Sequence, residues 1–279
     1  MDPALETARL VTSTYRDVGG LAFAYGQGSL VAGFSRDSDL DIAMVWDGDE
    51  PPSGGRRAAA VRKLHDGGHS RAAQFDHHEY VRDKFWMGSQ QVDVHHYTMK
   101  VFDRWLTDVY EGRGWEDIGD TMSLYSIAGF AYGKTIGDYN GGAAAAQEEI
   151  EEFPQALVER SRMLLLAELP SYDEDLAACV QRGDGWGFHE LLNKVLRHVL
   201  VAWFAAEQRY CPHPKWIHRW ITRFGMDTSL ANVERAMWGP VSLGRRRELF
   251  LTLANRVLEL PVGGAERESD GAAAHDIAS

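Results

Sequence analysis

Residues 28–42, Gly-Ser-Leu-Val-Ala-Gly-Phe-Ser-Arg-Asp-Ser-Asp-Leu-Asp-Ile, constrain this chain more than any other stretch. A glycine-serine turn can bring backbone N–H groups to a phosphate. The pair Asp39 and Asp41, two residues apart, falls on one face of an extended strand, because side chains alternate across a strand. A phosphate grip thus sits directly ahead of a carboxylate pair suited to a hard cation such as Mg²⁺, which prefers oxygen ligands and keeps company with substrate phosphates. The apolar run 21–25 before the turn reads as a buried strand that ends where the grip begins.

Around this stretch the hydrophobic pattern predicts a helix over residues 3–17, a short helical turn after Gly28, and a second strand over 39–46. A loop at 47–55 and a helix over 56–66 follow. Residues 90–97 alternate again, with Asp93, His95 and Tyr97 on one face and Val92, Val94 and His96 on the other. Helices are predicted over 100–113 and 120–130, with an extended segment at 133–138. After it the pattern is helical throughout: 147–169, 173–181, 186–210, 214–224 and 243–260. The small, polar tail 263–279 reads as disordered. The expected fold class is α+β: a small mixed sheet with flanking helices over 1–115, then an all-helical region over 116–262.

Asp93 has apolar neighbours and the parity of a third carboxylate facing Asp39 and Asp41. Gly28-Ser29, nine intervening residues, Asp39-x-Asp41 and a later strand aspartate together resemble the nucleotidyltransferase superfamily of polymerase-β type. The flank Arg36-Asp37-Ser38-Asp39-Leu40-Asp41-Ile42 is similar to its bacterial members. The helical second half, with Tyr210-Cys211-Pro212-His213-Pro214-Lys215-Trp216, is similar in layout to the aminoglycoside and lincosamide branch. The resemblance implies a site in which Asp39, Asp41 and Asp93 hold two Mg²⁺ ions and Gly28 and Ser29 hold the phosphates of a nucleoside triphosphate. It implies in-line attack by a substrate hydroxyl on the α-phosphate, with pyrophosphate leaving, and makes Asp93 a candidate acceptor for the hydroxyl proton. The implied product is a nucleotidylated small molecule, antibiotic-like or biosynthetic. The alternatives are transfer to tRNA or to a protein, as in toxin-antitoxin nucleotidyltransferases, and a non-catalytic nucleotide-binding member.

Other candidates each carry two readings. Arg36 and Ser38, in the loop between grip and carboxylates, either contact phosphate or, for Arg36, pair with Asp37. Glu190 and Lys194, one turn apart on a helix, either supply a base and a triphosphate-binding cation or belong to a solvated face. Lys215 and Trp216 either meet phosphate and base or, with Trp220 one turn on, pack a helix face, which is the simpler reading. The acidic run 148–152 reads as the start of a helix, where negative charge suits the dipole.

The bulk composition, 44% hydrophobic and 25% charged, is that of a globular protein. With 29 basic against 41 acidic residues the formal charge is −12. That charge disfavours a long nucleic acid as partner. The two cysteines, Cys179 and Cys211, lack metal-ligand spacing and read as buried thiols in a reducing cytoplasm. No apolar run reaches membrane-spanning length, so no membrane is expected. A homodimer is compatible with the sequence, though no apolar stripe demands one.

Overall fold

The computed structural model describes residues 3–35, 37–65, 73–77, 80–115 and 122–261. Arg36 and the tail 263–279 therefore lie outside the described residues. The chain divides into two compact units, Met1–Leu157 with Tyr210–Gly225, and Val158–Arg209 with Met226–Ser279.

Among the described residues, the first unit is built on a mixed six-stranded sheet. Its strands are β1 (Leu21–Gln27), β2 (Leu40–Trp46), β3 (Ala73–His77), β4 (Tyr80–Met87), β5 (Gln90–Thr98) and β6 (Lys134–Asp138), in spatial order β3-β4-β5-β2-β1-β6. Strands β2 and β5 are parallel and every other neighbouring pair is antiparallel. The parallel register sets Asp41 opposite Asp93. This is the α+β class expected.

Each face of the sheet has its own cover. Leu40, Ile42, Met44 and Trp46 of β2, with Val92 and Val94 of β5, bury under α1 (Pro3–Arg16) and α3 (Gly54–Leu64), through Ala8, Val11, Tyr15, Ala60 and Val61. Burying each of these large side chains stabilises the fold by roughly 1.5–3 kcal/mol. On the opposite face Phe23 and Tyr25 meet α4 (Met99–Tyr110) and α5 (Ser123–Ala131). Phe102 and Phe130 stand 5.1 Å and 5.0 Å, centre to centre, from Phe23 and Tyr25 respectively.

Under α1 and α3 lies a buried polar cluster centred on Asp83, itself 0% exposed. Tyr15 donates its hydroxyl to Asp83 Oδ2 at 2.6 Å, and His96 Nε2 lies 2.9 Å from the same oxygen. Arg57 Nε (3.2 Å) and Gln74 Nε2 (3.0 Å) donate to Oδ1. Trp46 Nε1 donates to His96 Nδ1 at 3.2 Å, which leaves Nε2 to carry the proton that Asp83 accepts. Burial alone would raise the Asp83 pKa, but the His96 contact, the Tyr15 hydroxyl and Arg57 outweigh it and bring it to about 2. Burial lowers the pKa of His96.

The second unit is helical. Helix α7 spans Gln155–Arg182, and α8 (Gly185–Ala206), α10 (Thr228–Met237) and α11 (Leu243–Glu259) follow, with α11 packed on both α8 and α10. Phe188, Leu192, Trp203, Phe250 and Leu253 are fully buried. An ion pair from Arg247 Nε to Asp173 Oδ1, 2.6 Å long, ties α11 to α7. Between α8 and α10 the chain returns to the first unit, forming a 3-10 turn, Pro214–Trp216, and α9, Ile217–Arg223. Among the described residues no helix is long and apolar enough to cross a membrane.

Several local expectations change. The hairpin β3–β4 and helix α10 were not predicted, the first because Arg82-Asp83-Lys84 in mid-strand masks its alternation. The helix expected over 147–169 is two helices, α6 (Gly142–Glu151) and α7, broken at Pro154. Helix α7 runs on through Pro170, merging with the helix expected over 173–181. The acidic run 148–152 therefore ends a helix instead of beginning one, the unfavourable end for negative charge. Hydroxyls cap it: Tyr110 donates to the carbonyls of Glu149 and Glu152, and Tyr210 to that of Ile150. Both cysteines are free and buried, and Cys211 lies in the non-helical return segment.

Candidate active site

Strand β1 ends at Gln27, and the next residue, Gly28, has a positive φ of 78° and opens α2 (Gly28–Val31), a single turn. A Cβ at Gly28 would run into Asp41 Oδ2, because Gln27 pairs across the ladder with Asp41. Glycine is thus required twice, for its dihedral angle and for room beside a carboxylate.

Asp39, Asp41 and Asp93 converge here. Each offers a carboxylate oxygen within 4.8 Å of the others. Asp41 and Asp93 stand opposite each other on β2 and β5, as strand parity requires. Asp39 differs from expectation: β2 begins at Leu40, so Asp39 is held by side chains, not by the ladder. Ser38 Oγ donates to its Oδ1 at 3.1 Å and Gln91 Nε2 to its Oδ2 at 3.2 Å, while Gln90 Nε2 donates to Ser38 O at 3.0 Å. Ser29, fully buried, donates to Ser38 Oγ at 2.6 Å. A relay of hydroxyls therefore links the glycine turn to the first carboxylate.

The three acids are not equivalent. At Asp39 burial pushes the pKa up, but hydrogen bonds from Ser38 and with Asp93, together with the charge of Lys215, lower it overall. Asp93 is 0% exposed. Burial dominates there and, with the charge of Asp41, keeps its pKa raised despite an ion pair from Arg82 and Lys84 at 3.9 Å. Its Oδ1 is buried and no donor among the described residues reaches it; the neighbouring Asp39 carboxylate, when ionised, has no proton to give. A carboxylate trio with an orphaned buried oxygen fits a hard divalent cation, and Asp39, Asp41 and Asp93 are the residues that would hold it.

Asp39 and Asp41, with Asp93 fully buried beside them, line a cavity of about 450 Å³ whose lining belongs wholly to the first unit. That size is in the usual range of small-ligand sites. His95, on the Asp93 face of β5, places Nε2 3.9 Å from Asp41 Oδ1 and stacks on Tyr97. The return segment lines the cavity through His213, Lys215, Trp216 and Trp220. Phe34, which follows the Gly28 turn, packs edge-on against Trp220 at 4.9 Å, with the Arg223 guanidinium 4.2 Å above its ring. Arg219 donates to its carbonyl. Trp216 and Trp220 do pack as expected, yet the same turn also exposes Lys215 toward Asp39, a role that spacing alone left in second place.

The structure thus brings together Gly28, Ser29, Ser38, Asp39, Asp41 and Asp93. Glu190 and Lys194 stand exposed on α8 of the second unit, where Lys194 Nζ lies 5.9 Å from the centre of the Tyr172 ring. Arg82, Gln91 and Lys215 were not assigned to the site or were passed over, since no motif spacing ties them to it.

Residues 121–217 match a family described as a domain of unknown function, DUF4037. No curated protein matches. Among solved structures, a nucleotidyltransferase-like protein from Exiguobacterium sibiricum is similar at 13% identity and a TM-score of 0.45, over 91% of this chain and 74% of its own. The CD-NTase CdnG of Bradyrhizobium diazoefficiens, solved in complex with GTP, is similar at 12% identity and a TM-score of 0.22, over 92% and 91%.

Proposed function

We propose that the chain is a divalent-metal-dependent nucleotidyltransferase that moves a nucleoside monophosphate from a nucleoside triphosphate to a hydroxyl group of a small molecule and releases pyrophosphate. The observation that carries this reading is the meeting of three carboxylates within 4.8 Å beside the Gly28 turn. When bound, Mg²⁺ supplies positive charge to the attacking and leaving oxygens of an in-line displacement. Asp39, Asp41 and Asp93 hold that charge in place. Gly28 and Ser29 present backbone N–H groups to the outgoing phosphates, and Ser38 keeps Asp39 turned toward them. Lys215 adds a cation to the cavity lining. Phe34 and Trp216 give the cavity flat apolar surfaces suited to a base.

The aromatic and basic character of this lining fits a nucleotide better than a polycationic acceptor. The acceptor is therefore sought among neutral or weakly charged hydroxylated molecules as well as antibiotics. Incubation with Mg²⁺, each of the four triphosphates and a panel of such molecules, followed by mass spectrometry, should yield an acceptor heavier by one nucleoside monophosphate, with pyrophosphate. Absence of pyrophosphate release with every pair would leave a nucleotide-binding protein without turnover.

A further inference from the structure

We propose that Arg82 is a resident counter-cation of the acidic centre that a divalent ion must displace from Asp93, so that metal entry and anion binding are coupled through one side chain. This rests on the metal reading of the triad given above.

Asp93 is fixed in the middle of the sheet and fully buried, and its Oδ2 is ion-paired with Arg82 and lies 3.9 Å from Lys84. Both cations come from β4, where Lys84 stands opposite Asp93 and Arg82 opposite His95. A buried carboxylate without a compensating charge is strongly unfavourable, and Arg82 meets that need. Its exposure differs from that of Arg57 on Asp83. The Arg57 side chain is 2% exposed, whereas the Arg82 side chain is 24% exposed and lines the cavity.

Arg82 thus has a route off Asp93 into the cleft. A divalent ion drawn to Asp39, Asp41 and Asp93 meets a guanidinium on the same carboxylate, and like charges a few ångströms apart oppose each other. Once displaced, the guanidinium adds positive charge where a triphosphate would lie. Metal alone should bind weakly, and metal with a polyphosphate much better.

The test uses the full chain and Mn²⁺, with free ion read by electron paramagnetic resonance, in the presence and absence of inorganic tripolyphosphate. Arg82→Gln should bind Mn²⁺ alone about tenfold more tightly than the wild type, a coupling within the usual span, and gain less from tripolyphosphate. Arg82→Lys, which keeps the charge, should stay within about twofold of the wild type by the same reasoning. Equal or weaker Mn²⁺ affinity in Arg82→Gln overturns the proposal and leaves Arg82 as a support for Asp93, as does an equal gain in Arg82→Lys. If none of the proteins binds Mn²⁺ even with tripolyphosphate, the metal reading itself fails. Should Arg82→Gln not fold, Arg82→Met, which keeps the apolar stem without the charge, is the second variant. It too should tighten binding of Mn²⁺ alone, and equal or weaker affinity there overturns the proposal.

Discussion

Asp83 and Asp93 are both fully buried aspartates on adjacent strands of one sheet, and they live in opposite circumstances. Asp83 faces α1 and α3, and both of its oxygens are met, by Tyr15, His96, Arg57 and Gln74. Its pKa falls to about 2. Asp93 lies beside two further carboxylates, has one oxygen that no donor among the described residues reaches, and has its pKa raised. A buried charge with every lone pair satisfied serves the fold. One left short, among like charges and at the edge of a cavity, is suited to receive a cation.

The sharpest way to break this contrast is to neutralise each acid in turn. Asp93→Asn should lower turnover by at least about a thousandfold, roughly 4 kcal/mol of barrier. Its folding stability should move by no more than about 1 kcal/mol, because the loss of like-charge repulsion offsets the lost ion pair. Asp83→Asn should do the reverse, with activity per folded molecule retained and unfolding in urea easier by about 3–5 kcal/mol, since it strands buried Arg57. Equal effects of the two on stability would erase the distinction.

Acid should act on the Asp83 side first. His96 has a lowered folded pKa, so its contribution is complete above about 6.5 and declines as pH falls through the folded value. Asp83 is also depressed, so its share is complete above about 3.9 and is lost as pH falls toward 2. That shift of roughly two units corresponds to about 2–3 kcal/mol. Two descending stages in stability, one below neutrality and one below pH 4, are the expected profile in urea titrations at fixed pH. In Asp83→Asn the lower stage should shrink to the share of Asp39 and Asp227, whose pKa values are also lowered.

A smaller effect should follow at the grip. Gly28→Ala forces a left-handed dihedral on a β-carbon, costing about 1–2 kcal/mol, and drives that carbon into the Asp41 carboxylate. Stability should drop by that amount, and Mn²⁺ affinity should fall with it. An unchanged affinity would separate the turn from the metal site.

The cleft side was far more legible in the sequence than the Asp83 side. Gly28, Asp39 and Asp41 lie within fourteen residues, and Asp93 needs only strand parity to join them, because the chemistry demands fixed residue types at short spacing. The polar cluster draws on α1, α3, β3, β4 and β5 at once. Tyr15 passes for an ordinary apolar position on a helix, and Arg82-Asp83-Lys84 looks like a solvated loop, so neither the cluster nor β4 announces itself. The return of residues 210–225 to the first unit is likewise a matter of tertiary packing, set by Tyr132, Phe34 and Trp220. No local period encodes it, and for that reason the place of Lys215 on the cavity wall could not be read from spacing.

The central claim is that Asp39 and Asp41, with Asp93, form a cation site that carries a nucleoside triphosphate. Isothermal titration of each of the four triphosphates, with Mg²⁺ and with chelator, into the wild type and the double variant Asp39→Asn, Asp41→Asn tests it most directly. Mg²⁺-dependent binding of at least one triphosphate to the wild type, and none to the double variant, is the expected result. Binding that survives chelation, or that the double variant retains unimpaired, would contradict it.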